Sequence, residues 1–445
     1  MTTSTRSTQV GQRSVPGLGL DGRPPMEKRA KHAAKPAEHG SGSKKRGLVG
    51  RLLRFVFFRL LPVVAVIFAV LVGYVLAHPL PMGRFFWLVR SRTRRPYVDV
   101  SPTTGARAAQ VHQPMIIGAT LTPPVPADLK AKERHADEIL VALPGGTKMP
   151  AIGLGLCCRA TAYHQESVRQ SVLWYLLEGG RTLDTADLYL NHEAVGDGMR
   201  DAEARGVVRS EIFLTTKIFP ESYGYSATLV WLERVLSELG LDYIDLVLMH
   251  APRRWFNLYG TEETEFSNFE CKTATRCRQE TWRALSELRA KGKIREVGVS
   301  NFRTYHIEAL LKAEGAAPVA VNQIFYHPWI PDYQKEVVEY CNKHGIALTG
   351  YFSLGGAFAA QQTQSMAQIK AIAQRHKKSS AQVLLRWSIQ NNVTIIPGTG
   401  NPKHMRENLD VYGFKLSEDE MVEIGKIGES NPIPASLAMP EFMNK

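Results

Sequence analysis

From about residue 138 the chain alternates between two hydrophobic periods. Short apolar runs at 151–156, 181–184, 212–217, 243–249, 294–300, 321–325, 347–351 and 394–397 read as buried strands. Between them apolar residues recur every three or four positions, as in Val168, Val172 and Leu176 or in Leu229, Leu232, Leu236 and Leu239, which marks helices with one buried face. Ahead of the first run, EILVALPGGTKMPAIGLGL sets apolar residues on both sides of a Pro-Gly-Gly turn and predicts a hairpin. Eight strand-then-helix units predict an α/β fold, a (β/α)8 TIM barrel with an N-terminal hairpin, rather than an open doubly wound sheet. Gly153, Gly155 and then Arg159 break the GxGxxG spacing of a dinucleotide-binding turn, which argues the same way.

Upstream the pattern is different. Residues 60–77 contain no charged side chain and the apolar character runs on to Met82, enough for a helix across a hydrocarbon layer of about 30 Å. Arg51, Arg54 and Arg59 precede it, and Arg84, Phe85, Phe86, Trp87 and Arg90 follow like an interfacial belt. A transmembrane anchor is therefore expected over 47–90, with attachment through residues 60–82 and a single-pass location in an endomembrane such as the ER. Residues 1–46, rich in Ser, Thr, Gly, Pro, Lys and Arg, are expected to be a disordered basic segment. Residues 91–137 read as a linker to a domain over 138–445.

Charge sharpens this division. The first 100 residues hold 18 Lys or Arg against 4 Asp or Glu, whereas the remainder holds 37 against 38, so the expected barrel is near neutral. A nucleic-acid partner is excluded on that ground, because a phosphate-binding face would be strongly basic. The five cysteines, Cys157, Cys158, Cys271, Cys277 and Cys341, show no paired CxxC pattern, so no metal site is expected and the thiols are read as reduced by default. Cys271 and Cys277 are spaced to bridge under oxidising conditions.

The chemistry collects where the strands stop. Strand two ends on Asp184, with Tyr189 in the loop beyond; strand three ends on Lys217; His250 follows strand four; Ser300 and Asn301 close strand five. Gln323 lies in strand six, Tyr351 closes strand seven, and Thr399 follows strand eight. In a barrel all these positions share one rim, the rim that carries chemistry. A phenol that gives up a proton near neutral pH needs a buried cation beside it, and a carboxylate keeps that cation charged and in place. Asp184, Tyr189 and Lys217 supply those groups, and His250 can orient a carbonyl oxygen.

These residues resemble the aldo-keto reductase family. The resemblance spans about residues 138–427 and is carried by LDTADLYLNHEAVG, IFLTTK, LDYIDLVLMH, GKIREVGVSNF, VNQIFYHP, AQVLLRW and IIPGTGNPKHMREN. It implies a barrel that binds a nicotinamide cofactor, NADPH with NADH possible, and a catalytic set of Asp184, Tyr189, Lys217 and His250. It also implies that Ser300, Asn301 and Gln323 hold the carboxamide and that Tyr351 stacks on the nicotinamide. Ser353, Leu354, Thr399, His404, Glu407 and Asn408 would contact the rest of the cofactor, and Cys157 and Phe219 would border the substrate pocket.

Several positions depart from the family pattern. Leu156 and Cys157 stand where a Thr and an aromatic are usual, and Tyr351, Phe352 and Ser353 replace Tyr-Ser-Pro. The loop from Ala251 to about Arg278 is long and carries Arg253, Arg254, Trp255, Phe256 and Tyr259, which suits a lid, a membrane-facing surface or a solvated insertion. Gly398 and His404 occupy positions where NADP-preferring members carry Lys and Arg, so a weakened preference for NADPH is expected, supported by Thr399 and Lys403 and by His404 in mild acid. The expected activity is reduction of a small-molecule aldehyde or ketone, with Tyr189 as general acid. The competing expectation is a redox-sensing regulatory subunit of a membrane complex built on the same scaffold.

Overall fold

The structure is a computed structural model that describes residues 121–157, 164–254, 266, 269–313, 315–355 and 363–427. The segments expected to be basic and membrane-anchoring, including residues 60–82, lie outside the described residues. Among the described residues no helix is long and apolar enough to cross a membrane.

A hairpin comes first. Strands β1 (Leu140–Ala142) and β2 (Lys148–Pro150) pair antiparallel with Val141 opposite Met149. The turn closes through Leu143 N–H to Thr147 O at 2.8 Å, and Gly146 takes φ 85°, a left-handed conformation that a side chain disfavours. Leu143 and Met149 pack with Phe213, Leu246, Leu248, Ala320 and Val321, so the hairpin plugs the bottom of the barrel.

Eight parallel strands form the wall. They are β3 (Leu154–Gly155), β4 (Thr182–Asp184), β5 (Phe213–Ile218), β6 (Ile244–Met249), β7 (Ile294–Ser300), β8 (Val321–Phe325), β9 (Ala347–Tyr351) and β10 (Val393–Ile395), each hydrogen-bonded to the next in sequence order. A parallel bridge between Ile152 and Ile395 closes the sheet on itself. Residues of β4, β5, β6, β8 and β10 are buried throughout, which is why their apolar residues do not alternate regularly with exposed polar ones. Gly155 sits at this closure because a Cβ there would come within 2.5 Å of Ile396 O.

Helices cover the outside. They include α1 (Gln165–Leu177), α2 (His192–Glu203), α3 (Tyr225–Leu239) and α4 (Ala274–Ala290), followed by α5 (Thr304–Leu311) and α6 (Asp332–Lys343). The last four are α7 (Ala367–His376), α8 (Ser380–Gln390), α9 (Pro402–Leu409) and α10 (Glu418–Gly425). The faces expected from spacing are the buried ones: Val168, Val172 and Leu176 on α1 are fully enclosed, as are Leu232 and Leu239 on α3. Leu229 and Leu236 pack at the margin of that core. Caps fix the starts: Thr273 accepts from Arg276 N–H before α4, and Ser379 and Gln382 exchange bonds before α8.

The cysteines depart from expectation. Cys271 and Cys277 form a disulfide, and Cys157 is disulfide-bonded as well, so the reduced default is corrected. The turn before α4 and the first turn of that helix bring the Cys271 and Cys277 Cα atoms to 4.9 Å, inside the range a disulfide spans. Closing so short a loop stabilises the fold by about 2 kcal/mol on chain-entropy grounds. Among the described cysteines only Cys341 is free, buried beside Asn322, and burial pushes its thiol up to about 11.

Both ends of the long loop after β6 are tied down. Tyr223 donates to Ala251 O at 2.6 Å, Arg254 pairs with Glu221 at 3.1 Å, and Arg278 donates to Pro252 O at 3.0 Å. Phe266 is buried, stacked on Tyr223 and edge-on to Phe269. The described parts of this insertion are thus anchored by Phe266, Cys271 and Cys277 in the core, while Glu270, Lys272 and Arg276 stay exposed.

Candidate active site

Asp184 closes β4, Lys217 is the penultimate residue of β5, and His250 follows β6, so three neighbouring strands deliver an acid, an ammonium and an imidazole to one rim. Tyr189 ends a short 3-10 turn, Asp187–Tyr189, after which Leu190 takes φ 53°. That left-handed residue turns the chain into α2 and leaves the phenol pointing back at the strand ends.

Lys217 Nζ donates to Asp184 Oδ1 at 2.6 Å, to Thr185 O at 3.0 Å and to Tyr189 Oη at 3.4 Å. The ammonium also lies 5.0 Å from the centre of the Tyr189 ring. The other Asp184 oxygen accepts from Gln323 Nε2 at 2.8 Å. Lys217 is fully enclosed: burial lowers its pKa, and Asp184 opposes that shift by its charge and its hydrogen bond. His250 stands edge-on to Tyr189, with ring centroids 5.8 Å apart, and Phe219 packs against its other side at 5.7 Å. Burial, then the Lys217 charge, pushes the His250 pKa well below the usual imidazole range, so the ring is neutral.

Ser300, Asn301, Gln323 and Tyr351 continue the rim. Ser300 Oγ donates to Gln323 O at 2.9 Å, and Asn301 Nδ2 reaches His250 O at 3.0 Å. Tyr351 Oη donates to Asn301 Oδ1 at 2.7 Å. Asn301 holds φ 63°, a conformation that costs a non-glycine residue energy and fixes its amide at the strand end. Ser353 is buried with its hydroxyl on Gly350 O at 3.2 Å, Leu354 packs partly against the core, and half-exposed Cys157 lies just beyond β3.

Thr399, His404, Glu407 and Asn408 lie apart from that cluster, on the turn after β10 and on α9. Asn401 caps this helix by accepting from Lys403 N–H at 2.9 Å, and Thr399 Oγ1 accepts from Asn401 N–H at 3.0 Å. The side chains of Lys403 and His404 are exposed, and Lys403 is 3.7 Å from Glu407.

The supporting shell was not singled out from sequence. Asn191 Nδ2 donates to Leu156 O at 3.1 Å, and its Oδ1 accepts from Thr185 Oγ1 at 2.6 Å. His192 is held between Glu238 at 3.0 Å and Thr216 at 2.8 Å, and Arg234 joins Glu238 to Asp187. The available signal was a polar Asn-His pair directly after the tyrosine loop, where the chain enters a helix.

An eight-stranded parallel barrel with a buried acid, ammonium and phenol joined on its C-terminal rim is the arrangement of a carbonyl oxidoreductase. The aldo/keto reductase family profile matches residues 151–429, and the chain belongs to that family. It is 36% identical over 293 residues to a glyoxal reductase of Bacillus subtilis, covering 66% of this chain and 94% of that one. An NAD(P)H-dependent D-xylose reductase of Candida tropicalis is 35% identical over 304 residues, covering 64% and 91%. A Bombyx mori aldo-keto reductase in complex with NADP superposes with a TM-score of 0.57 at 28% identity, covering 68% of this chain and 99% of that one.

Membership makes the chain a carbonyl-reducing oxidoreductase whose cofactor is NADPH, with NADH possible. The residues present fit such a cofactor. Hydroxyl and amide groups of Ser300, Asn301 and Gln323 suit a carboxamide, and the half-exposed ring of Tyr351 suits a stacked heterocycle. A hydroxyl and two basic side chains lie at the start of α9, the arrangement that favours phosphate. The expected single-pass endomembrane location is corrected: the family match begins at Ala151, and no described helix can span a bilayer.

The buried imidazoles have a measurable consequence. Burial and three nearby arginines lower His306 to about 3, and burial alone lowers His327 to about 4. With His250, three histidines stay neutral when folded, whereas in the unfolded chain each takes a proton near pH 6.5. The unfolded state therefore binds more protons below that pH, and stability falls as pH drops from about 6.5 toward 4. The limiting slope is about 1.4 kcal/mol per pH unit for each group, or roughly 4 for all three. Urea unfolding at pH 7.5, 6 and 5 reads this directly, and His327→Phe is expected to remove about a third of the slope. A flat profile would mean that these rings take up protons in the folded state.

Proposed function

We propose that this chain reduces aldehydes or ketones to alcohols, taking the hydride from NADPH and the proton from Tyr189. The observation that carries the reading is the buried ammonium of Lys217, shared between Asp184 at 2.6 Å and the Tyr189 phenol at 3.4 Å. The bound cofactor supplies the hydride. Tyr189 gives its proton to the substrate oxygen, and the Lys217 ammonium stabilises the phenolate left behind. Asp184 keeps Lys217 charged against its desolvation, and Gln323 holds Asp184 from the other side. Neutral His250 lies close enough to the phenol to donate a hydrogen bond to the same oxygen and so orient the carbonyl. Phe219 walls this corner and keeps water from the reacting oxygen.

The relatives reduce glyoxal and xylose by name, which supports a small carbonyl compound as the substrate class. Multiple turnovers of NADPH by the full chain with a panel of short aldehydes are the expected result. A single slow oxidation per bound cofactor would instead favour a scaffold that binds the cofactor and reports its redox state.

A further inference from the structure

Residues 121–134 precede the family match and were read as linker, yet the structure shows them packed along α1 as a strap. Thr122 is buried, its amide donating to Ser167 Oγ at 3.1 Å and its hydroxyl bonded to Ser171 Oγ at 2.8 Å and to Ser167 Oγ at 2.9 Å. Val125 N–H reaches Gln170 at 2.9 Å, Trp174 Nε1 donates to Pro123 O at 2.8 Å, and Lys132 N–H reaches Leu177 O at 2.8 Å. Farther along, the Lys132 ammonium pairs with Glu178.

Two contacts carry the strap to the turn after β10. A Cβ added to Gly400 would come within 2.5 Å of Thr122 Oγ1 and 3.7 Å of Ser171 Oγ, so the strap hydroxyl is seated against that glycine. Glu178, which takes Lys132 on one oxygen, takes Arg406 of α9 on the other at 2.8 Å. The strap thus braces both the turn Thr399–Gly400–Asn401 and the helix it begins.

We propose that this strap is a positioning element for the adenosine-phosphate end of the cofactor site, with Thr122 as the residue that sets the Gly400 turn. The proposal rests on the reading that Thr399 and α9 receive the cofactor phosphate. A turn held by a buried hydroxyl is preorganised for the anion, so loosening it costs affinity at that end and leaves the reacting rim alone.

The test is calorimetric titration of the full chain with NADPH and with NADH, alongside kcat at saturating cofactor and thermal unfolding without cofactor. Thr122→Ala is expected to raise the NADPH Kd about fivefold, the equivalent of one net hydrogen bond, with a smaller effect on NADH and an unchanged kcat. Gly400→Ala is expected to raise the NADPH Kd further, because the new methyl strikes the Thr122 hydroxyl, and Thr122→Ala in the same chain is expected to recover part of that loss. A purely structural strap would lower the melting temperature without that recovery or that difference between cofactors, and would overturn the proposal. Thr399→Val with Lys403→Ala separates the two readings. If that pair raises the NADPH Kd while Thr122→Ala leaves it within twofold, only the strap proposal fails. If the pair has no effect, the phosphate reading fails and the strap proposal with it.

Discussion

Tyr189→Phe is expected to lower kcat for aldehyde reduction by about 10²- to 10⁴-fold, the range a positioned general acid supplies. NADPH affinity should hardly move, because the residues proposed to hold the carboxamide and phosphate lie on other strand ends and the substitution deletes one oxygen. That oxygen sits 3.4 Å from the Lys217 ammonium, at the mouth of an otherwise enclosed cluster. Equal losses in kcat and kcat/KM would identify an interaction made in the transition state and not in substrate binding. Retention of most of the turnover would end the assignment of Tyr189 as proton donor.

Lys217→Met is expected to be severe in a second respect as well. It removes the charge that stabilises the phenolate, so turnover should fall at least as far as in Tyr189→Phe. It also strands the Asp184 carboxylate in a site that excludes water, and breaking such a pair costs about 3–5 kcal/mol of stability. The variant with both Lys217→Met and Asp184→Asn carries no buried charge there, and it should regain a large part of that stability while staying inactive. Denaturant midpoints and steady-state rates on the single and double variants separate the two roles. Equal stability of the two variants would mean that the stranded Asp184 carboxyl costs nothing, as it would if it took up a proton.

Much of the barrel could be read directly because its strands are enclosed on both faces. Six of the eight expected runs, all but 151–156 and 394–397, coincide with the observed strands to within one residue at each end. Asp184, Lys217 and His250 were legible because each stands at or next to a strand end, and Tyr189 because a phenol follows the acid in the loop beyond it. Strand β3 was less so: of 151–156 only Leu154–Gly155 is regular strand, because the chain there is held through a bridge at Ile152 and bonds across to residues after β10.

The strap was illegible for a different reason. Its attachments are backbone amides, carbonyls and small hydroxyls, and no periodicity of apolar residues records them. The Cys271–Cys277 bond was open as an alternative in the sequence, because a spacing of six brings two side chains together only when one precedes the helix and the other lies in its first turn. His192 and Arg234 reach Thr216, Glu238 and Asp187 across 24 to 47 residues of sequence, so no local pattern announces that network.

The closure between β3 and β10 gives the barrel an uneven resistance to opening. The pairing of β5 with β6 spans four matched positions, whereas the last seam is one bridge, Ile152 with Ile395, and a few amide bonds, including Gly153 N–H to Ile395 O at 2.8 Å and Gly155 N–H to Pro397 O at 3.3 Å. Those amides should exchange with deuterated water earlier than their counterparts in β5 and β6, since fewer bonds must break to expose them. The chain leaving β10 runs straight on to Thr399 and α9. A nucleotide gripping that turn would hold the slat against its neighbour, as a hoop holds the staves of a cask, and protection would spread along the seam well beyond any atom it touches.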